Sequence, residues 1–320
     1  MEKTLKDNYD VIVVGGGTAG LAGALTLARS RRSVAVIDAG EPRNAPAEGV
    51  HGLLGLEGTP PTELLKRGRD EVRGYGGEIL SGVVANVRRT EEGFHVGLAD
   101  GRSAEARRVL VAAGLVDELP DIPGLREQWG RGVLHCPYCH GWEVRDRPLA
   151  VVGTGPMSLH GVHLWRQLSA DVVYFPQENA EPDDEQREQF AALGVRVVPG
   201  RVAAVESEDG AVTGVRTVDG TVVPCEAVAM APRMVARTGF LGDLGVETAE
   251  HPSGMGEHIV ADAMGRTSVP GVWAAGNVAD IAANVAAAAS ASGFAAAQIN
   301  ADLAKEDAAR AVALRSAASA

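Results

Sequence analysis

The sequence predicts an α/β protein made of two doubly wound units, the second inserted into the first. Three observations predict this class. The segment Asp10–Asp38 reads as strand, glycine-rich turn, helix and strand. The segment Leu149–Phe175 repeats that order. The C-terminal segment Gly271–Ala313 holds one apolar strand without a strand partner nearby and then a long Ala-rich helix, so it returns to complete the first unit. The length of 320 residues suits two ordinary domains, and a hydrophobic content of 45% supplies their cores.

In chain order, Asp10–Val14 is a short run of branched apolar residues, the pattern of a buried parallel strand. Gly15-Gly16-Gly17-Thr18-Ala19-Gly20 follows, then a helix to about Ala28 and a second strand at Ser33–Asp38. Ala39–Pro61 is a loop dense in Gly and Pro, and Thr62–Gly74 reads as a helix. Glu78–Ala99 reads as an antiparallel excursion, with a turn at Asp100-Gly101. Arg108–Ala113 is another buried strand, ended by Gly114, and the Pro-containing stretch Asp117–Gly124 reads as a crossing linker. In the second unit, strand Leu149–Val152 leads through Gly153–Ser158 into a helix to about Leu168, then a strand at Asp171–Phe175. These borders place the first domain at residues 1–114 and 245–320 and the inserted domain at residues 115–244. Arg315–Ala320 reads as a frayed end.

Bulk properties exclude several classes. A net charge of -12 argues against a nucleic-acid partner, because phosphate binding needs clustered Lys and Arg. No run approaches the roughly 20 apolar residues of a membrane span. The charged start, Met1–Asp10, runs straight into a strand without a secretory signal, which points to the cytoplasm. Three cysteines are too few for a disulfide scaffold.

Gly15, Gly17 and Gly20 fit G-x-G-x-x-G where that pattern has meaning, after a strand and opening a helix. The first glycine permits a tight turn, the second lets backbone N–H groups approach a pyrophosphate, and the third allows close helix–strand packing. Asp38 ends the next strand, where a carboxylate accepts from a ribose hydroxyl. Both units are therefore Rossmann-like dinucleotide-binding domains by pattern. The second loop is poorer. Pro156 sits inside it, Ser158 replaces the third glycine, and the next strand is followed by Phe175-Pro176-Gln177-Glu178 and an acidic stretch through Glu188. A 2′-phosphate wants an Arg there, and the first base is Arg187. Glu178 is placed to serve an NAD ribose, with Pro176 against that geometry. The expectation is a retained scaffold without tight NADPH binding.

Cys136-Pro137-Tyr138-Cys139-His140 lies between the two units. A C-x-x-C in such a protein reads as a redox dithiol, in which one thiolate attacks a disulfide and the other resolves it. His140 follows the second Cys and moves protons near neutral pH. His135 flanks the first. The rival reading is structural zinc, which takes four ligands, usually as two pairs. Only one pair exists here, so no metal is expected. Cys225 reads as an inert buried thiol, His160 and His163 as helix-surface or packing residues, and His51 as a residue with a weakly supported substrate-facing role.

These motifs make the chain resemble the low-molecular-weight thioredoxin reductases over essentially its whole length. The landmarks are Gly15-x-Gly17-x-x-Gly20, Ala112-Ala113-Gly114, the C-x-x-C and Thr267–Gly276. The resemblance implies a homodimer with an FAD domain and an inserted NAD(P)H-type domain. It also implies that Cys139 is the sulfur nearest the flavin and Cys136 the interchange thiol. Gly114 and the Ala275-Gly276-Asn277 segment are then cofactor-binding, and Asn284-Val285 meets the flavin pyrimidine edge. Three departures stand out: His140 replaces the usual acid, Asn277 replaces an Asp, and the Arg-rich segment of the NADPH domain is missing. With Cys136–Glu143 reading Cys-Pro-Tyr-Cys-His-Gly-Trp-Glu, they resemble the dithiol oxidases that close disulfides in gliotoxin- and holomycin-type natural products. That subgroup implies a small-molecule dithiol substrate and molecular oxygen as electron acceptor. An NAD(P)H-fed thioredoxin reductase-like disulfide reductase stays open as the alternative, and a redox sensor that binds a partner as the third.

Overall fold

The computed structural model describes residues 5–177 and 181–319. It starts with β1 (Asn8–Val14), α1 (Thr18–Arg29) and β2 (Val34–Asp38), then α2 (Pro61–Gly74) with Pro61 at its first turn, where the missing N–H costs nothing. The strands β3 (Glu78–Ser81), β4 (Val84–Arg89), β5 (Phe94–Leu98) and β6 (Ser103–Val111) follow. They form one sheet in the order β3-β2-β1-β6-β5-β4, to which a C-terminal strand adds beside β6.

Both faces of this sheet are buried, which explains the unbroken apolar reading of β1. Val11 and Val13 join the core under α1 and α2, while Ile12 and Val14 join the core on the opposite face with Val87, Phe94 and Val96. Alternate residues of a strand point to opposite faces, so one run serves two cores. The expected antiparallel excursion is shorter than its reading. Glu78–Ser81 pairs parallel to β2, and the antiparallel pairing is confined to β4, β5 and β6. Alternation of side chains looks the same in either direction, so sequence period does not separate them.

The chain crosses to the second unit through β7 (Leu115–Glu118), which forms where a linker was expected from Asp117 onward. The second unit then builds β8 (Val133–Leu134), α3 (Pro137–His140), β9 (Leu149–Val152), α4 (Ser158–Leu168), β10 (Val172–Phe175), α5 (Asp184–Ala192) and β11 (Arg196–Val197). A hairpin layer, β12 (Val202–Glu208), β13 (Ala211–Thr217) and β14 (Val222–Pro224), precedes β15 (Ala227–Met230). The parallel order β11-β10-β9-β15-β8 is the second doubly wound sheet. Val162 and Trp165 of α4 and Phe190 of α5 cover one face, and Val205, Val212 and Val215 of the hairpin layer cover the other. The two nucleotide-type units expected from the sequence are both present.

The return runs through β16 (Arg233–Ala236), β17 (Thr248–Glu250), β18 (Gly256–Ile259) and β19 (Val272–Ala274) into α6 (Val285–Ala317). β19 lies parallel to β6, so the tail completes the first sheet. The outgoing β7 and returning β16 pair antiparallel, and β16 pairs with β18, giving the order β17-β18-β16-β7. Both crossings are thus held in one small sheet, with strands drawn from either side of the expected borders at 114/115 and 244/245. On α6, Ala288, Ser292, Ala295, Ile299 and Leu303 face inward at helical spacing. Small residues let it approach α1 closely: a Cβ on Gly23 would lie 2.7 Å from Ser292 Oγ.

Candidate functional site: a cavity walled by a disulfide

A cavity of about 370 Å³ opens at the carboxyl ends of β1, β2 and β6, where open α/β sheets receive ligands. Gly15, Gly17, Asp38, Gly114, Asn277, Asn284 and Val285 all line it, and so do Cys139 and His140. Sequence expectation and geometry thus bring one C-x-x-C sulfur into the same space as the first glycine loop.

The loop fits a dinucleotide for steric reasons that differ by position. Gly15 has φ +106°, and a Cβ there would run into Ala112 O. A Cβ on Gly20 would collide with Gly15 O, so this glycine sets the closeness of α1 to β1 and stays behind the wall. Gly17 faces open space and is the N-cap of α1, so the first amides of the helix are turned to the cavity. Asp38 receives Arg69 Nη2 at 2.9 Å and Gly40 N at 3.1 Å. A carboxylate has about four lone-pair positions, which leaves capacity for a ribose. Gly276, with φ +77°, is set back from the wall because it packs on Ala19, where a Cβ would lie 2.7 Å from the Ala19 methyl. Asn277 spends its amide N–H groups on the carbonyls of Ala283 at 2.8 Å and Asp280 at 3.1 Å. It therefore offers a ligand its oxygen rather than its N–H. Asn284 caps α6 by accepting from Ala287 N at 2.9 Å, which fixes the helix start at the cavity edge.

Cys136 and Cys139 are bonded to each other. Pro137 starts α3, and the tight turn returns Cys139 N and His140 N to Cys136 O at 3.2 and 3.1 Å. Cys139 is the sulfur on the cavity wall. On the redox segment itself, Tyr138 and Trp142 are exposed by 79% and 67%, so apolar surface is presented to solvent beside the pair. Cys225 is buried in the second core, and burial pushes its thiol up to about 12, so it stays an inert thiol. His163 packs on the Phe190 ring at 5.4 Å, and His160 is exposed. Among the described residues, no group of three or more His, Cys, Asp or Glu is arranged to hold a metal ion. No helix is long and apolar enough to cross a membrane, again among the described residues.

Two imidazoles beside the pair are held neutral. Burial pushes His140 below the ordinary range; the Glu143 carboxylate opposes the shift and His51 adds to it. His135 is pushed down to about 4, first by burial, then by the Arg43 guanidinium, with Asp117 opposing and His140 adding a little. A depressed folded value means that the unfolded chain binds the proton first. Stability from His135 is complete above its ordinary value of 6.5 and is lost as pH falls toward 4. We expect about 3 kcal/mol of unfolding free energy to disappear over that window. Denaturant titrations at several pH values check it: His135→Gln should flatten this part of the profile.

His51, expected with weak support to face a substrate, lines the cavity, but several contacts of the wall have no signal in the sequence. Arg43 grips Asp117 in a two-point pair, Nε to Oδ2 at 2.8 Å and Nη2 to Oδ1 at 2.6 Å. It ties the glycine-rich loop to β7 across 74 positions. Arg69 reaches Asp38 from α2. His51 Nδ1 lies 2.6 Å from Glu57 Oε1, and its Nε2 lies 3.5 Å from Glu143 Oε1. No local pattern announces partners this far apart.

The second glycine loop differs in kind from the first. Ser158 Oγ accepts from the backbone N–H of both Thr154 and Gly155 at 3.1 Å, and Pro156 contributes no N–H. Two amides of this loop, those of Thr154 and Gly155, are thus bonded inside it, and a third position has no N–H. Thr154 Oγ1 is likewise bonded to Ala231, donating to its carbonyl at 2.7 Å. Arg187 pairs with Glu181 at 3.2 Å. Glu178 lies outside the described residues.

The family model described as pyridine nucleotide-disulphide oxidoreductase matches residues 9–293. The chain belongs to that family. Among its relatives, the thioredoxin reductase tcpT of Claviceps purpurea (strain 20.1) is 31% identical over 287 residues, covering 86% of this chain and 88% of that protein. The thioredoxin reductase sirT of Leptosphaeria maculans is 30% identical over 289 residues, covering 85% and 87%. Among solved structures, HlmI is 44% identical, covers 100% of both chains and superposes with a TM-score of 0.91. An oxidoreductase from Agrobacterium tumefaciens is 34% identical, covers 92% and 98%, and has a TM-score of 0.87. The protein is a thioredoxin reductase-like thiol–disulfide oxidoreductase that binds FAD.

Proposed function

We propose that the protein oxidises a small-molecule dithiol to its intramolecular disulfide, with the Cys136–Cys139 bond as first electron acceptor and dioxygen as the last. The carrying observation is the pairing of two unlike loops. The first glycine loop lines the cavity that Cys139 also lines, whereas in the second the Thr154 and Gly155 amides are bonded to Ser158 and Pro156 has no N–H to offer. Electrons entering from thiols need only the first. His140 at the position of the usual acid, and the Cys136–Glu143 sequence that resembles the dithiol oxidases of gliotoxin- and holomycin-type pathways, support the same reading.

A substrate thiolate attacks Cys136 Sγ, the Cys136–Cys139 bond breaks, and Cys139 leaves as a thiolate. The second substrate thiolate then attacks the sulfur bound to Cys136, closing the substrate disulfide and releasing Cys136. The substrate has lost two electrons and two protons, and the cysteine pair holds the electrons. Bound FAD supplies a two-electron acceptor for that pair and a place where dioxygen becomes hydrogen peroxide. His140, held neutral by burial, takes the proton of the attacking thiol. Gly15, Gly17 and Asp38 hold the pyrophosphate and ribose; Gly114, Asn277, Asn284 and Val285 flank the rest of the cofactor; and the subunits work as a homodimer.

The test is oxygen uptake in the absence of any nicotinamide. We expect one dioxygen consumed and one peroxide formed per dithiol closed. The relatives named thioredoxin reductase favour a second reading, an NAD(P)H-fed disulfide reductase. NADPH-dependent reduction of a disulfide, without dithiol-driven oxygen uptake, selects it instead.

A further inference from the structure

Closing a disulfide in a dithiol releases two protons, one from each thiol, and a single imidazole serves both only by exchanging with solvent between the steps. The cavity carries a second imidazole. His51 lines the same wall as His140, on the loop between β2 and α2, and an antiparallel bridge between Val50 and Thr59 pins the base of its turn. Glu57 clamps the turn from inside, taking His51 Nδ1 at 2.6 Å with one oxygen and Gly52 N at 2.9 Å with the other. Holding Nδ1 on a carboxylate fixes the tautomer and leaves Nε2 as the working nitrogen. That nitrogen points to the redox segment, 3.5 Å from Glu143 Oε1, and His140 is close enough to feel both Glu143 and His51.

We propose that His51, oriented by Glu57, is the second proton acceptor of the site: it takes the proton of the substrate thiol that closes the disulfide. The inference rests on the dithiol-oxidation reading above. The arrangement is carboxylate, imidazole, reacting group, the order in which a base is positioned for a nucleophile. The charged and titratable groups that face His51 are Glu57 on its own loop, and Glu143 and His140 on the redox segment. With His51 gone, the first attack proceeds and the second stalls. The substrate then stays attached to Cys136 as a mixed disulfide, and the electrons do not reach the flavin.

The experiment mixes FAD-loaded wild type, His51→Gln and Glu57→Gln with a small dithiol such as dithiothreitol, without oxygen, across a pH series. Flavin bleaching is followed, and intact-protein mass is taken after acid quench. For His51→Gln, we expect bleaching about 100-fold slower at neutral pH, with accumulation of protein carrying one substrate mass. The gap should narrow above about pH 8.5, where a thiol ionises unaided. Glu57 is 62% exposed at its side chain, so Glu57→Gln spares the core; it should slow bleaching by about tenfold. A rate ratio that is flat across pH, or a slow variant without the adduct, marks a merely structural role and overturns the assignment. If the wild type bleaches and both variants match it, the assignment alone falls. If dithiols leave the wild type unbleached, the functional reading falls first and takes the assignment with it.

Discussion

Cys139→Ser and Cys136→Ser each reduce turnover by about a thousandfold or more, which is roughly 4 kcal/mol of transition-state stabilisation, while FAD stays bound. The expectation follows from the division of labour between the two sulfurs. Cys139 sits on the cavity wall with the first glycine loop, and Cys136 is bonded to it one turn away. In the proposed mechanism, removing Cys139 deprives the flavin of its electron donor. In the same mechanism, removing Cys136 deprives the substrate of its point of attack. Neither change touches the steric fit of the glycine loop, so the purified variants remain yellow. The two variants also separate the proposed roles: Cys136→Ser leaves Cys139 as a lone thiol on the cavity wall, whereas Cys139→Ser leaves Cys136 as the lone thiol one turn away. Absorbance spectra of the two proteins before and after addition of dithiol check both points. Ordinary turnover in either variant removes the dithiol from the mechanism.

The second large effect belongs to the loop itself. Gly20→Val places a side chain against Gly15 O, a backbone atom that cannot step aside. Overpacking of this kind costs roughly 1–3 kcal/mol, and here it also separates α1 from β1 and pulls the helix amides off the pyrophosphate. We expect FAD affinity to fall by about 100-fold or more, equivalent to roughly 2.7 kcal/mol, with protein recovered largely colourless. Gly17→Ala is the control. Nothing lies within 4 Å of its new methyl, so stability should stay within about 0.5 kcal/mol of wild type, while the methyl intrudes on the ligand side and weakens FAD. Flavin content and thermal unfolding of the two variants, measured side by side, distinguish packing from binding.

The parts of this protein legible in its sequence are those whose signal is local. Two runs of branched residues, each followed by glycines and a helix, announced the two sheets, because a parallel strand buried on both faces has to be apolar throughout. The lone strand Val272–Ala274 announced its return to the first unit because its segment offered it no partner; that the partner is β6 came from the structure. The small sheet joining the units was hidden for the opposite reason. Its strands are 3–4 residues long, and Leu115 meets Ala236 only after the whole second unit has been built. Asp117 looked like linker for that reason, and its grip on Arg43 followed it out of sight. The site divides the same way. The C-x-x-C and G-x-G-x-x-G are spacings. The meeting of His51 with Glu143 is a product of loop closure across 92 positions, and the capture of the Thr154 and Gly155 amides by Ser158 is a matter of side-chain direction. Asn277 shows the limit of reading roles by position: its amide is spent on its own loop, and only its oxygen remains for a ligand.

The most direct test mixes the FAD-loaded protein anaerobically with a small dithiol in one syringe and with NADPH in another, and follows the flavin colour. Bleaching by the dithiol at the rate of turnover, with NADPH slower by about 100-fold or more, is the expected result. Rapid bleaching by NADPH, with a flavin that stays yellow in the dithiol, contradicts it.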